Sequence, residues 1–101
     1  MNTRDKLVHA VTAFDRAQEA KATKNPRHYY NHYALPQYLG AVARVADDIE
    51  AGAAVDEAII AAMHGPLRTA CLKACGFKAN HVPARHGNYL GLPVYRPASQ
   101  K

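Results

Sequence analysis

Between Leu35 and Ile49 the apolar residues Leu35, Leu39, Val42, Ala46 and Ile49 recur at alternating steps of four and three. An α-helix puts such positions on one stripe, and a stripe of this kind has to be buried against other helices. The segment predicts an amphipathic helix that opens near Ala34 or Leu35. Pro36 is tolerated in its first turn, where the missing N–H costs nothing. Gly52 is suited to end it.

Three further segments carry helical spacing. The first runs from about Thr3 to Lys24, with Asn2 as its cap and Asp5 favourable in the first turn. Leu7, Val11 and Phe14 form its stripe, extended by Ala10 and Ala17, and Asp15, Arg16, Glu19 and Lys21 are placed off it. Pro26 disfavours helical geometry at Asn25 and closes this segment. The third helix is expected from about Val55 to His64, with Val55, Ile59 and Met63 on one face and Ile60 beside it. Gly65-Pro66 breaks it and starts a fourth, whose buried face is expected to be Leu67, Ala70, Cys71 and Ala74. Gly76 ends that helix, and Phe77 packs back on its last turn.

A chain of 101 residues is expected to make one domain. About a fifth of it is alanine and it has no tryptophan, so the core is thin and the strongest helix former is abundant. The expected fold class is all-α: a compact bundle of about four helices over residues 1–76. Residues 77–101 are punctuated by Pro83, Gly87-Asn88, Gly91, Pro93 and Pro97. They are expected to form an irregular, basic, extended C-terminal arm of the same domain.

Charge is unevenly spread along the chain. The net charge is +5, yet five of the eight acids lie between Asp47 and Glu57. No acid comes after Glu57, whereas Arg68, Lys73, Lys78, Arg85, Arg96 and Lys101 do. A basic end suits phosphates or an acidic protein partner, and ordinary solubility explains it equally well. Asp47, Asp48 and Glu50 crowd the last turn of the second helix, where the helix dipole disfavours them by a few tenths to ~1 kcal/mol each. Arg44 offsets part of this cost, and a positively charged partner would offset more. Cys71 and Cys75 sit four apart on one helix, a poor disulfide geometry. No apolar run at the N-terminus suits a signal peptide or a membrane span. A reduced, cytoplasmic protein with no membrane association is expected.

The densest local feature is His28-Tyr29-Tyr30-Asn31-His32-Tyr33, with Tyr38 shortly after it. It places four of the six tyrosines and two of the six histidines within eleven residues. Such amphipathic rings at a helix junction make either a wet-edged part of the core or a contact surface. Lys21, Lys24 and Arg27 precede them. Cations interleaved with aromatics suit single-stranded nucleic acid, and they suit protein interfaces as well.

Other constellations are weaker. The residues around Gly65 fit a helix-turn-helix, with Ile60, Ala61 and Cys71 at its close-crossing positions and Arg68, Thr69, Leu72 and Lys73 facing outward. A plain αα-hairpin explains the same residues. Cys71, Cys75, His81 and His86 do not match the finger spacing that zinc requires. Cys71 also falls on the core stripe, where a free thiol behaves as a small hydrophobe. His28 and His32 lack an acidic neighbour in sequence to orient either imidazole; a fold that brought Asp47 or Glu50 close would supply one. The commoner reading is surface histidines flanking tyrosines. No phosphate loop, nucleophile elbow or acid–base pair stands in the chain. No enzyme, cofactor or metal is expected.

From Tyr30-Asn31 through Tyr33-Ala34-Leu35, Tyr38-Leu39 and Asp47-Asp48-Ile49-Glu50-Ala51-Gly52 to Leu67 and Ala74-Cys75-Gly76, the chain resembles a loose group of small, alanine-rich bacterial proteins. These are associated with plasmids and prophages. The likeness covers roughly the middle half of the chain, and the group brings no assigned activity. Mobile-element proteins of this size inhibit host defence complexes, as anti-CRISPR proteins do, or regulate transcription. The group brings no functional residues either; from that context, and not from a shared motif, the expected function is a non-enzymatic inhibitor that occludes a surface on a host protein or ribonucleoprotein complex. Tyr29, Tyr30, Tyr33 and Tyr38 are the expected contact residues, with Asp47, Asp48 and Glu50 steering. The alternative is a DNA-binding regulator using the hairpin around Gly65, with Arg68, Lys73, Lys78 and Arg85 on nucleic acid.

Overall fold

The computed structural model describes residues 2–78, 81–82, 87–89 and 92–94. Among these residues it contains four helices: α1 (Thr3–Lys24), α2 (Ala34–Glu50), α3 (Val55–Ala62) and α4 (Gly65–Ala74). The fold is the all-α bundle that the periodicity predicts. Two short strands, β1 (Gly87–Tyr89) and β2 (Leu92–Val94), pair antiparallel, with Tyr89 opposite Leu92. They belong to the C-terminal arm, most of which lies outside the described residues.

Local chemistry sets the helix ends. Asn2 accepts a hydrogen bond from the Asp5 N–H at 2.8 Å and satisfies one of the unpaired donors of α1. At the far end of α2, Gly52 takes φ +109°, which a side-chain-bearing residue resists. The reversal lets the Gly52 N–H reach the Ile49 carbonyl and the Ala53 N–H reach the Asp48 carbonyl. That pair of bonds is a Schellman closure. Gly76 closes α4 in the same way, with the Phe77 N–H on the Leu72 carbonyl at 2.9 Å. Gly65, at φ +58°, makes the reversal between α3 and α4.

Helix α1 packs against α2 and α4, and α3 packs against the same two, so the four helices close into a ring. The large, fully buried side chains come from all four helices: Leu7 and Val11 from α1, Val42 and Val45 from α2, Ile59 from α3 with Met63 just past its end, and Cys71 and Leu72 from α4. The α2 stripe is turned from the one that the sequence suggests. Val45 is fully buried, Tyr38 and Ile49 pack on the core, and Leu39 is 39% exposed. At 3.6 residues per turn the buried face lies roughly 50° away from the predicted stripe. The reason is that α2 has two neighbours, α1 and α3, and faces the gap between them. A similar correction applies to α4: Leu72, expected to face outward, is 1% exposed, whereas Ala74 lies at the surface.

No helix among the described residues is long and apolar enough to cross a membrane.

Candidate functional site: the tyrosine junction

Two asparagines shape the loop between α1 and α2. Asn25 Oδ1 accepts from the Arg27 N–H at 3.1 Å, and Asn31 Oδ1 accepts from the Tyr33 N–H at 2.9 Å. Each is a side chain standing in for a backbone turn. They shape the loop that carries Tyr29, Tyr30 and Tyr33, while Tyr38 stands on α2, and the four tyrosines separate into two pairs. Tyr29 and Tyr33 are 82% and 78% exposed. Tyr30 and Tyr38 turn inward. Tyr38 meets Phe14 edge-on, with ring centroids 5.9 Å apart, and Tyr30 meets His32 edge-on at 4.8 Å. Both arrangements suit aromatic quadrupoles.

The inward pair surrounds a residue that sequence reasoning places elsewhere. Asp15 is only 6% exposed. Its Oδ2 accepts a 2.7 Å hydrogen bond from the Tyr30 hydroxyl, and its buried Oδ1 has no hydrogen-bond partner among the described residues. A buried acceptor left unpaired costs about 1–3 kcal/mol, and more when charged. The signal is present in the spacing: Asp15 stands four residues after Val11 and eight after Leu7, on the α1 core stripe itself. An acid at a stripe position requires a partner, and Tyr30 is the one that the fold supplies.

This pairing acts on the phenol. The hydrogen bond to Asp15, with burial and the carboxylate charge adding to it, pushes Tyr30 from 10.0 up to about 12. The group is raised on folding, so its contribution is complete below pH 10 and is lost as the pH climbs through about 12. Alkaline titration monitored by tyrosinate absorbance is expected to show a phenol that ionises only near pH 12. In Asp15→Asn that late phase moves back towards 10. Its persistence in the variant would show that Asp15 is not the cause.

Phe14, Asp15, Tyr29, Tyr30, Tyr38 and Pro66 line most of an open cleft of about 320 Å³ between α1, the loop and the start of α4. Gln18 also lines it, and its Oε1 lies 3.2 Å from His28 Nε2. A second cleft of about 330 Å³ shares Phe14, Tyr38 and Pro66 and continues the groove to His64 and Leu67. His28 is thus paired with an amide rather than with Asp47 or Glu50.

The acidic residues lie elsewhere. Asp47 and Glu50 are exposed and Asp48 is half-buried at the C-terminal end of α2. The tyrosines stand at its N-terminal end. The helix between its two ends is seventeen residues long, about 24 Å along the axis, and Tyr38, inside its second turn, stands about 14 Å from Asp47. Beside the acids, His81 Nε2 lies 2.6 Å from Asp56 Oδ2, and the His81 ring packs on Phe77. This ties the segment after α4 to the start of α3.

Among the nucleic-acid candidates, Lys73 and Lys78 are exposed and Arg85 lies outside the described residues. Arg68 folds back onto α3, donating from Nε to the Met63 carbonyl at 2.9 Å and from Nη2 to the Ile60 carbonyl at 3.1 Å. Its guanidinium therefore serves the hairpin itself. Burial pushes the Cys71 thiol up to about 11 and raises Cys75 as well, against a lowering by Lys6. Both are poor nucleophiles near neutral pH. No group of three or more potential metal ligands gathers among the described residues, and His86 of the Cys–His series lies outside them.

No family model, curated protein or solved structure matches this chain.

Proposed function

We propose that this is a non-enzymatic binding protein whose contact surface is the tyrosine junction together with the outer face of α2. One observation carries the reading. Among residues 2–78, the large side chains with apolar bulk left exposed are Tyr29, Tyr33 and Leu39, and all three belong to this junction and helix. On α2 the outward positions after Tyr33 are occupied by Pro36, Gly40, Arg44 and Asp47, with Gly40 and Asp47 among its exposed residues. Gly40, between the aromatic and charged ends, lets a partner approach the helix closely at that point. Tyrosine supplies rigid contact area at low entropic cost.

The surface is also electrically polar. Lys21, Lys24 and Arg27 are exposed beside the tyrosines, and Asp47 and Glu50 stand at the other end. Such a pattern orients a charged partner before contact. In its concrete form the protein is a mobile-element inhibitor that occludes a surface on a nucleic-acid-handling host complex, in the manner of an anti-CRISPR protein. The DNA-binding alternative is weakened by Arg68, bound to α3 carbonyls, and by buried Leu72. It is left with Lys73 and Lys78 as exposed cations on and just beyond α4.

The test is affinity capture from a bacterial lysate with and without nuclease, using wild type, Tyr29→Ala/Tyr33→Ala and Asp47→Arg/Asp48→Arg. A stoichiometric protein complex that survives nuclease is expected. The tyrosine variant should lose about 30-fold or more in affinity, as hot-spot aromatics do. Its unfolding free energy should stay within about 0.5 kcal/mol, because both rings are at the surface. Undiminished binding by both variants would remove this surface from the reading. Recovery of nucleic acid alone would favour the regulator.

A further inference from the structure

Asp15 has no ordinary explanation as a core residue. Leucine or alanine at this stripe position would satisfy the packing of α1. Instead the chain buries an acid, gives one oxygen to Tyr30 and leaves the other without a partner among the described residues. No described Lys or Arg forms an ion pair with it, although the chain carries thirteen Lys and Arg. None of those described lines the cleft. Buried carboxylates in folded proteins are paired, and one that is incompletely paired beside an open cleft is poised for a ligand.

The walls specify what that ligand is. Phe14, Tyr29, Tyr30 and Tyr38 line the cleft together with Asp15. Aromatic faces attract cations, and they attract planar guanidinium groups best because these also stack and are weakly hydrated. A guanidinium offers several N–H donors in a fixed fork, so once the rim opens far enough to uncover the buried Oδ1 it can meet that oxygen while Tyr30 keeps Oδ2. The volume of about 320 Å³ lies at the small end of ligand pockets and suits one side chain rather than a folded segment. Tyr29, 82% exposed at the rim, is free to close over it.

We propose that the cleft between α1 and the tyrosine loop is a receptor for an arginine side chain presented by a partner protein, with the unpaired oxygen of Asp15 as its anion and the tyrosines as its walls. This rests on the binding reading above and deepens it: the junction captures an arginine instead of merely covering a flat surface.

The experiment uses purified full-length protein, so its outcome is separate from whether a lysate partner is found. Isotope-labelled protein is titrated with three short, blocked peptides that differ in one residue: arginine, lysine or citrulline, the last being a neutral analogue of arginine. Saturable shifts are expected at Phe14, Asp15, Tyr30 and Ala34 with the arginine peptide. Citrulline should bind about tenfold more weakly or worse, and so should arginine on Asp15→Asn. Asn keeps an oxygen for the Tyr30 hydroxyl, so the site stays folded while its charge is lost. Tyr30→Phe frees the second oxygen and should bind arginine at least as tightly as wild type. If Asp15→Asn fails to fold, the comparison of arginine with citrulline on wild type decides alone. Absence of saturable shifts, equal binding of citrulline, or full binding by a folded Asp15→Asn would overturn the proposal. Lysine binding as tightly as arginine would overturn the guanidinium assignment.

Discussion

Leu72→Ala is expected to lower the unfolding free energy by about 2–5 kcal/mol, the range for truncating a buried leucine in a core that cannot collapse around the gap. Leu72 is 1% exposed and is one of the eight largest fully buried side chains among the described residues. Alanine-rich helices leave few neighbours able to move into the space. A domain of this length has on the order of 5–15 kcal/mol in total, so the variant stands close to unfolding. Leu39→Ala, made in parallel, should change stability by less than about 0.5 kcal/mol, because Leu39 is 39% exposed. Urea unfolding with an unchanged slope measures both. A stable Leu72→Ala beside a damaged Leu39→Ala would mean that α2 and α4 are rotated from the faces described.

That pair of leucines shows where sequence reasoning stops. Helix existence and helix ends are legible because their causes are local. Asn2 caps the first turn of α1, Pro26 blocks helical geometry at Asn25, and Gly52 and Gly76 adopt backbone angles that other residues avoid. The face that each helix buries is not a local property. Steps of four and three in α2 mark an apolar side without fixing its centre, and the centre is set by where α1 and α3 lie. The spacing alone therefore turns Leu39 inward and misses Val45.

The candidate site is legible in half. The tyrosine cluster draws notice by composition alone, but its division into an exposed pair and an inward pair rests on contacts distant in sequence, Tyr30 with Asp15 and Tyr38 with Phe14. Proximity in sequence offers His28 and His32 no acid, and Asp47 and Glu50 lie at the wrong end of α2. The fold instead brings Asp15 to Tyr30 across fifteen residues and Asp56 to His81 across twenty-five. Contacts of that separation leave one trace in the sequence, a polar residue on an apolar stripe. Asp15 is that trace.

Arg68→Ala is expected to destabilise the protein by about 2–3 kcal/mol, through two hydrogen bonds from a charged donor that net about 1.5–3 kcal/mol in typical cases. The carbonyls of Ile60 and Met63 lie at the C-terminal end of α3, where backbone acceptors lack helical partners and the dipole favours a cation. A helix of eight residues has little stability of its own and depends on such closure. Arg68→Lys should recover only part of the loss, since one compact ammonium does not reproduce a planar fork serving two carbonyls. Lys73→Ala and Lys78→Ala, both at exposed positions, should stay within about 0.5 kcal/mol. The ordering also separates the two functional readings. A residue that reads DNA loses affinity on mutation and keeps its fold, whereas a residue that ties α4 to α3 loses stability first. Urea midpoints for the four variants, set beside DNA affinity at two salt concentrations, distinguish them. Loss of salt-dependent DNA binding in an Arg68→Ala protein of unchanged stability would reinstate the hairpin around Gly65 as a nucleic-acid reader.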